Sequence, residues 1–177
     1  HTQNNTSLRL ANHFSETSNT GSYAMYNTNT SYASIGVVDI HDCDNYPIRT
    51  GAGSVGYMSA FSTFTGNTPN AIRVEQQTFG GVATWLDHGI PYVMWNDITI
   101  SDATTLTLQA GTELRFNTGA RFQVDGTLIA DGDPVNHIIF TSNQTLPVQG
   151  DWERIFLKAA NAGSILDFCD ISYGGST

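Results

Sequence analysis

Positive charge is scarce in this chain: seven Lys plus Arg, with Lys158 the single lysine, stand against sixteen Asp plus Glu in 177 residues. A formal net charge of −9 argues against nucleic acid or an anionic membrane surface as a partner, because both draw affinity from clustered cations. No apolar run approaches the roughly 18 residues that span a bilayer. A secretory leader is missing as well, and a first residue of His1 rather than Met points to processing or to a cut from something longer. Only two cysteines occur, Cys43 and Cys169. They read as small buried hydrophobes in separate layers, with a disulfide within or between chains as the alternative and the redox compartment left open. Sustained helical periodicity and βα alternation are absent too.

What the chain has instead is Thr, Ser, Asn and Gly, which fill 67 positions (22, 14, 14 and 17). Threonine favours strands, and the other three favour turns. With 40% apolar residues the chain is folded, and the mixture predicts many short strands joined by tight corners. Low lysine and four N-x-S/T triplets, at Asn4, Asn5, Asn29 and Asn143, suit an extracellular or cell-surface location.

From residue 90 onward short apolar strands follow one another: 91–95, 97–100, 105–108, 113–116, 121–124, 127–130, 137–140, 154–157 and 164–168. Leu106, Phe122, Ile138 and Ile155 lie 16, 16 and 17 residues apart, each in an alternating strand followed by a glycine-bearing corner. One inward strand per near-constant period predicts a solenoid of stacked coils. A sandwich would use Asp125-Gly126 and Asp131-Gly132 as hairpin turns. Strands this short, with corners closer than the roughly 8–12 residues of sandwich turns, favour the solenoid. Upstream, Ile48, Ile72 and Val93 are 24 and 21 residues apart, consistent with longer coils carrying loops, one of them over 15–33. The chain therefore reads as a single domain, 1–177, with irregular coils over 1–89 and regular short coils over 90–177.

Residues 84–174 resemble a known family, the right-handed parallel β-helix repeats of large secreted and surface-anchored bacterial proteins. The resemblance is carried by Trp85 with Gly89-Ile90-Pro91-Tyr92, by 106–116 (LTLQAGTELRF) and by 124–132 (VDGTLIADG). Further pieces are 138–142 (IIFTS), Gly150 and Trp152 up to Ile155, and the stretch from Ile165 to Gly174-Gly175. Gln109-Ala110 and Glu153-Arg154 depart from the usual pattern. The resemblance implies an all-β, right-handed parallel β-helix, with Trp85, Tyr92 and Trp95 in the core or locking coils and Trp152, Gly174 and Gly175 as structural positions. Gly111, Gly126 and Gly132 are expected to supply positive-φ corners. Asn45, Asn67 or Asn70 would form an internal amide ladder by analogy. The pattern defines no catalytic residue, and a scaffold does not give function.

Candidate sites are few. Asp39, Asp42 and Asp44, and Asp131 with Asp133, are carboxylate clusters and the only Ca²⁺ candidates. Carboxylates one rung apart, about 4.8 Å, would repel by about 1 kcal/mol in water and about 3.5 kcal/mol at an effective dielectric of 20. Asp is also a corner residue, and the spacing fits no Ca²⁺ loop. Histidines 1, 13, 41, 88 and 137 lack zinc spacing. The arginines look isolated in sequence, and no nucleophile–base arrangement stands out. Tyr23, Tyr26 and Tyr32, in a polar loop, are the ligand or partner candidates. No cofactor and no enzymatic activity are expected. No amphipathic capping helix covers either end, so the solenoid is expected to be uncapped at one or both ends. This makes an extracellular structural or adhesive module, self-associating end to end or continuing into flanking coils, the first functional expectation. A carbohydrate-binding or polysaccharide-cleaving β-helix, a lyase or hydrolase with glycan contact, is the alternative.

Overall fold

A computed structural model describes residues 12–15, 23–26, 35–158 and 163–176. In chain order the strands are β1 (Asn12–Ser15), β2 (Met25–Tyr26), β3 (Val38–His41) and β4 (Ile48–Gly51), followed by a four-residue helix α1 (Ala52–Val55). Next come β5 (Thr63–Thr65), β6 (Ile72–Glu75), β7 (Gln77–Phe79), β8 (Val82–Trp85), β9 (Tyr92–Met94) and β10 (Ile98–Ile100). The rest are β11 (Thr105–Leu108), β12 (Glu113–Phe116), β13 (Phe122–Val124), β14 (Thr127–Asp131), β15 (Ile138–Ser142), β16 (Ile155–Leu157), β17 (Ile165–Asp167) and β18 (Cys169–Ile171).

All strand pairs are parallel. They stack as a β-solenoid of about five turns, as the strand pattern predicts. One face is a seven-stranded sheet in the order β18-β15-β12-β9-β6-β4-β2. A second is the four-stranded sheet β16-β13-β10-β7, and a third is divided between β17-β14-β11-β8 and β1-β3-β5. The helix α1 follows β4 as β7 follows β6, and it packs on β7 in place of a further strand. Its residues Ala52, Gly53, Ser54 and Val55 are all buried.

The coil length differs from the expected sixteen residues. Inward positions of the long sheet stack as Ile48, Ile72, Tyr92, Leu114, Phe140 and Ile171, at intervals of 24, 20, 22, 26 and 31. Leu106, Phe122 and Ile138 belong to three different sheets, so their even spacing counts strands around the coil rather than coils along the axis. The upstream interval of 24 between Ile48 and Ile72 is one of these coil lengths. Val93 pairs with Arg73, one place out of the inward column, and points outward.

Alternation fills the interior. Leu106, Leu108, Leu114, Phe116, Phe122, Leu128, Ile138 and Phe140 are buried, while Thr, Arg and Gln between them face out. Aromatics bridge coils: Trp85 lies between Phe79 and Tyr92, at 6.4 and 5.4 Å, and Trp152 stacks on Phe116 at 4.3 Å. The Trp152 indole N–H donates to the Ser172 carbonyl at 2.8 Å, and a Cβ on Gly174 would meet that ring at 3.0 Å. Glycine here is what lets the indole lie flat under the last coil. Trp95 is not a core residue. It is half-buried on the outer side of the long sheet.

The corner glycines divide by mechanism. Gly111 has φ +90° as expected, but Gly126 and Gly132 do not adopt positive φ. They are required for space, because a Cβ at either would lie within 3.0 Å of a neighbouring backbone oxygen. The amide ladder contracts to one bridge. Asn67, 6% exposed, accepts the Cys43 N–H at 3.0 Å and donates to the Ile40 carbonyl at 3.1 Å. Asn70 carries the bridge on to the Phe64 carbonyl, while Asn45 accepts only the N–H of Tyr46. Cys43 and Cys169 are free thiols. Burial, then neighbouring aspartates, raises both above the ordinary thiol pKa.

Candidate functional site

Because Ile48, Thr50, Ile72, Val74, Leu114 and Phe116 point inward, the residues between them form an outward rank on the long sheet. In register the rank runs Tyr26, Arg49, Arg73, Val93, Arg115 and Thr141. The arginines that look isolated in sequence are thus gathered, three of them on one face. Val93 is only 1% exposed although it points outward, so this face carries a second packed layer.

That layer is aromatic and guanidinium in alternation. The Arg49 guanidinium lies 4.6 Å from the Tyr26 ring centre and 5.2 Å from that of Tyr23, whose rings are 6.2 Å apart. Arg73 lies 3.6 Å over Trp95 and donates to the Tyr23 hydroxyl at 2.9 Å. Tyr46 meets Trp95 edge-on at 6.1 Å. Below it, the amides of Asn117 and Asn143 are joined at 2.8 Å across adjacent coils, so the Asn143 side chain of the triplet is already hydrogen-bonded. Tyr23 and Tyr26 are therefore brought together with Arg49, Arg73 and Trp95, a grouping the sequence did not suggest. Tyr32, and the triplets at Asn4, Asn5 and Asn29, lie outside the described residues.

Arg49 and Arg73 occupy directly paired positions. Two cations one rung apart repel by about 3.5 kcal/mol at an effective dielectric of 20, and by about 1 kcal/mol in water. Glu75 offsets this by accepting from the Nε of both on the same oxygen, Oε1, with Arg49 at 2.7 Å. Burial disfavours the Arg49 cation, but the hydrogen bond and charge of Glu75 outweigh it and hold the group above its ordinary pKa. Each cation–π contact adds about 0.5–1 kcal/mol at a wet site. The Arg49–Arg73–Glu75 group is left with two positive charges against one negative.

A concavity follows the corner before the long sheet. A cleft of about 550 Å³ is lined by Asp87, Gly111, Asn136, His137, Ile139 and Asp170 among others. His137 Nδ1 lies 3.1 Å from Asp170 Oδ2, and Asp87 and Glu113 line an adjoining hollow of about 190 Å³. Glu113 is held by Arg115 at 2.7 Å.

The carboxylates expected to cluster are dispersed in role. Asp39 accepts the Thr63 hydroxyl at 2.7 Å, and Asp42 pairs with His41 at 2.8 Å. Asp44 is exposed at a corner. Asp131 pairs in register with Asp167 as one stacked couple. Asp133 closes its own turn, accepting from the side chain of Asn136 and the backbone of Val135 and Asn136, and these bonds hold its carboxyl below the usual range. Among the described residues no group of three or more His, Cys, Asp and Glu is placed to hold a metal ion, and no helix is long and apolar enough to cross a membrane. Comparison with protein-family models, with curated proteins and with solved structures finds no match to this chain.

Proposed function

We propose that this chain is an extracellular structural and adhesive module, a β-helical scaffold that extends by stacking its last described coil on another coil. The observation that carries the reading is the state of that coil. Ile171 continues the inward column behind Phe140, which is fully buried, yet Ile171 is 53% exposed. Leu157, in register behind Val124, is 42% exposed, and Cys169 and Leu166 are half-buried. These side chains point into the core position with nothing beneath them among the described residues. The parallel strands beside them offer unpaired N–H and C=O groups, a template for a further rung.

The composition, poor in lysine and rich in Thr, Asn and Gly, supports a location outside the cell. The test is the assembly state of the whole chain across a concentration series, by light scattering and electron microscopy. Concentration-dependent association that Ile171→Lys abolishes is the expected result. A monodisperse single particle at every concentration would overturn the stacking. Polysaccharide cleavage is a second reading, favoured by the His137–Asp170 pair in a cleft beside Asp87 and Glu113. Inactivity on a polyuronate panel, with and without Ca²⁺, would remove it.

A further inference from the structure

We propose that the outward face around Arg49, Arg73 and Tyr26 binds an acidic sugar, a pyranose carrying a carboxylate or sulfate within a polysaccharide chain. The inference rests on the adhesive reading above and names what is adhered to. It does not depend on coil stacking.

Three observations converge on this chemistry. The first is charge. In a chain with net charge −9, Arg49 and Arg73 stand in paired register and share a single carboxylate, that of Glu75. An anion bridging the two would remove the remaining repulsion, so the site is short of one negative charge.

The second is the supply of donors. A guanidinium has five N–H groups in a planar fork that matches a carboxylate or sulfate. Arg49 commits Nε to Glu75, and Arg73 commits Nε to Glu75 and one Nη to Tyr23. The other N–H groups of both have no partner among the described residues. Their planes are already fixed, Arg49 against Tyr26 and Arg73 against Trp95, so little rotamer freedom is lost on binding.

The third is the exposed ring. Tyr26 is 55% exposed, with Tyr23 tilted beside it. A pyranose presents an apolar C–H face that covers such a ring and hydroxyls that reach solvent. A simple carboxylate would leave the ring bare, and a neutral sugar would leave the forks empty. An acidic sugar satisfies both. Arg115 stands two rungs beyond Arg73 on the same rank, about 10 Å along the axis. Its charge is already met by Glu113 at 2.7 Å, so the Arg49–Arg73 pair is the anion subsite, and Arg115 offers only its remaining N–H groups to a sugar further along the face. Against nucleic acid, the site has too few cations for a phosphate backbone.

The experiment is calorimetric titration of the whole chain with three oligosaccharides of equal length, one built of uronates, one sulfated and one neutral, at two salt concentrations. Expected are binding of at least one anionic oligomer, about tenfold or weaker binding of the neutral one, and loss of affinity as salt rises. The two anionic arms tell carboxylate from sulfate. Arg49→Gln should weaken binding about tenfold, and Tyr26→Ala several-fold. Glu75→Gln should strengthen anion binding, because it removes the competing carboxylate. A merely structural latch predicts the reverse for this variant, since β2 would loosen. Equal binding of neutral and acidic oligomers, no binding by the parent chain, or an unchanged constant in Arg49→Gln would overturn the proposal. Assembly is followed in the same samples. Association without sugar binding sinks this inference alone, whereas sugar binding by a strictly single particle sinks the stacking alone.

Discussion

Replacing Gly126 by Ala places a Cβ 2.3 Å from the Thr104 carbonyl oxygen and 2.4 Å from that of Ser101, where real Cβ atoms essentially never come within 3.0 Å. Both obstacles are backbone of the preceding corner. That corner is tied by Thr104 N–H to Ser101 O at 3.1 Å and by Thr127 N–H to Thr104 O at 2.8 Å. Relief of about 0.6 Å on two sides therefore displaces two hydrogen-bonded segments at once. Overpacking of this kind costs about 1–3 kcal/mol, and a weakened corner hydrogen bond adds about 1 kcal/mol. Gly111 is the internal control. Its φ of +90° penalises an L side chain by about 1–2 kcal/mol. The atom its Cβ would meet, at 2.7 Å, is Asp87 Oδ2, the free end of a flexible side chain. At about 2–4 °C of Tm per kcal/mol for a chain of this size, Gly126→Ala should lower Tm by roughly 10 °C and Gly111→Ala by about 4 °C. Thermal melts followed by circular dichroism decide it, with urea unfolding to check that the m-value is unchanged. If Gly111→Ala proves as damaging as Gly126→Ala, the division between space and backbone conformation is wrong.

Trp152→Ala, which empties a site 1% exposed and removes the stack on Phe116, should cost about 3–5 kcal/mol and lower Tm by roughly 10 °C. A loss under 1 kcal/mol in denaturant titration would contradict its role as the lock of the last coil. Burial among Phe64 and Tyr92, only partly countered by Asp87, lowers the His88 pKa from 6.5, and neither ring nitrogen has a partner among the described residues. The unfolded chain then takes up this proton first, so stability falls as pH drops below about 6.5 and levels off below the folded pKa. His88→Phe should shrink the Tm difference between pH 7.5 and 5.5, and an unchanged difference counts against the assignment. For Asn117 and Asn143, joined at 2.8 Å, a double-mutant cycle to Ala should give a coupling of about 1 kcal/mol, and additivity would show the amide pair to be idle.

Strand positions were legible because inward residues alternate with polar ones and glycine or asparagine marks each corner. The segments 105–108 and 113–116 coincide with β11 and β12. The period was not legible from the same residues. Three strands of near-equal length circle each coil, so Leu106, Phe122 and Ile138 repeat evenly without stacking on one another. A true coil interval showed where it was given least weight, between Ile48 and Ile72. Shifted by one residue, that same interval pairs Arg49 with Arg73. The guanidinium face was therefore written in the chain at a spacing of 24, but only the register turns two distant arginines into neighbours. Trp95 lies outside the core for a related reason. It follows the buried Met94, and alternation alone sends it outward, against the core or coil-lock role the family resemblance suggested. Gly126 and Gly132 follow aspartate as turn glycines do, and close contact with a neighbouring coil is a property of the stack that a linear reading does not contain.

The helix α1 makes one flank of the stack unlike the other two. Where β16, β17 and β18 close the last coil, three strand edges face outward together. On the flank that begins with β7, α1 covers the first strand, and among the described residues that flank contributes no strand before it. A helical turn presents no row of unpaired N–H and C=O groups, so β7 is closed to strand pairing on the side α1 covers. At the far end of the same sheet β16 keeps an open edge among the described residues.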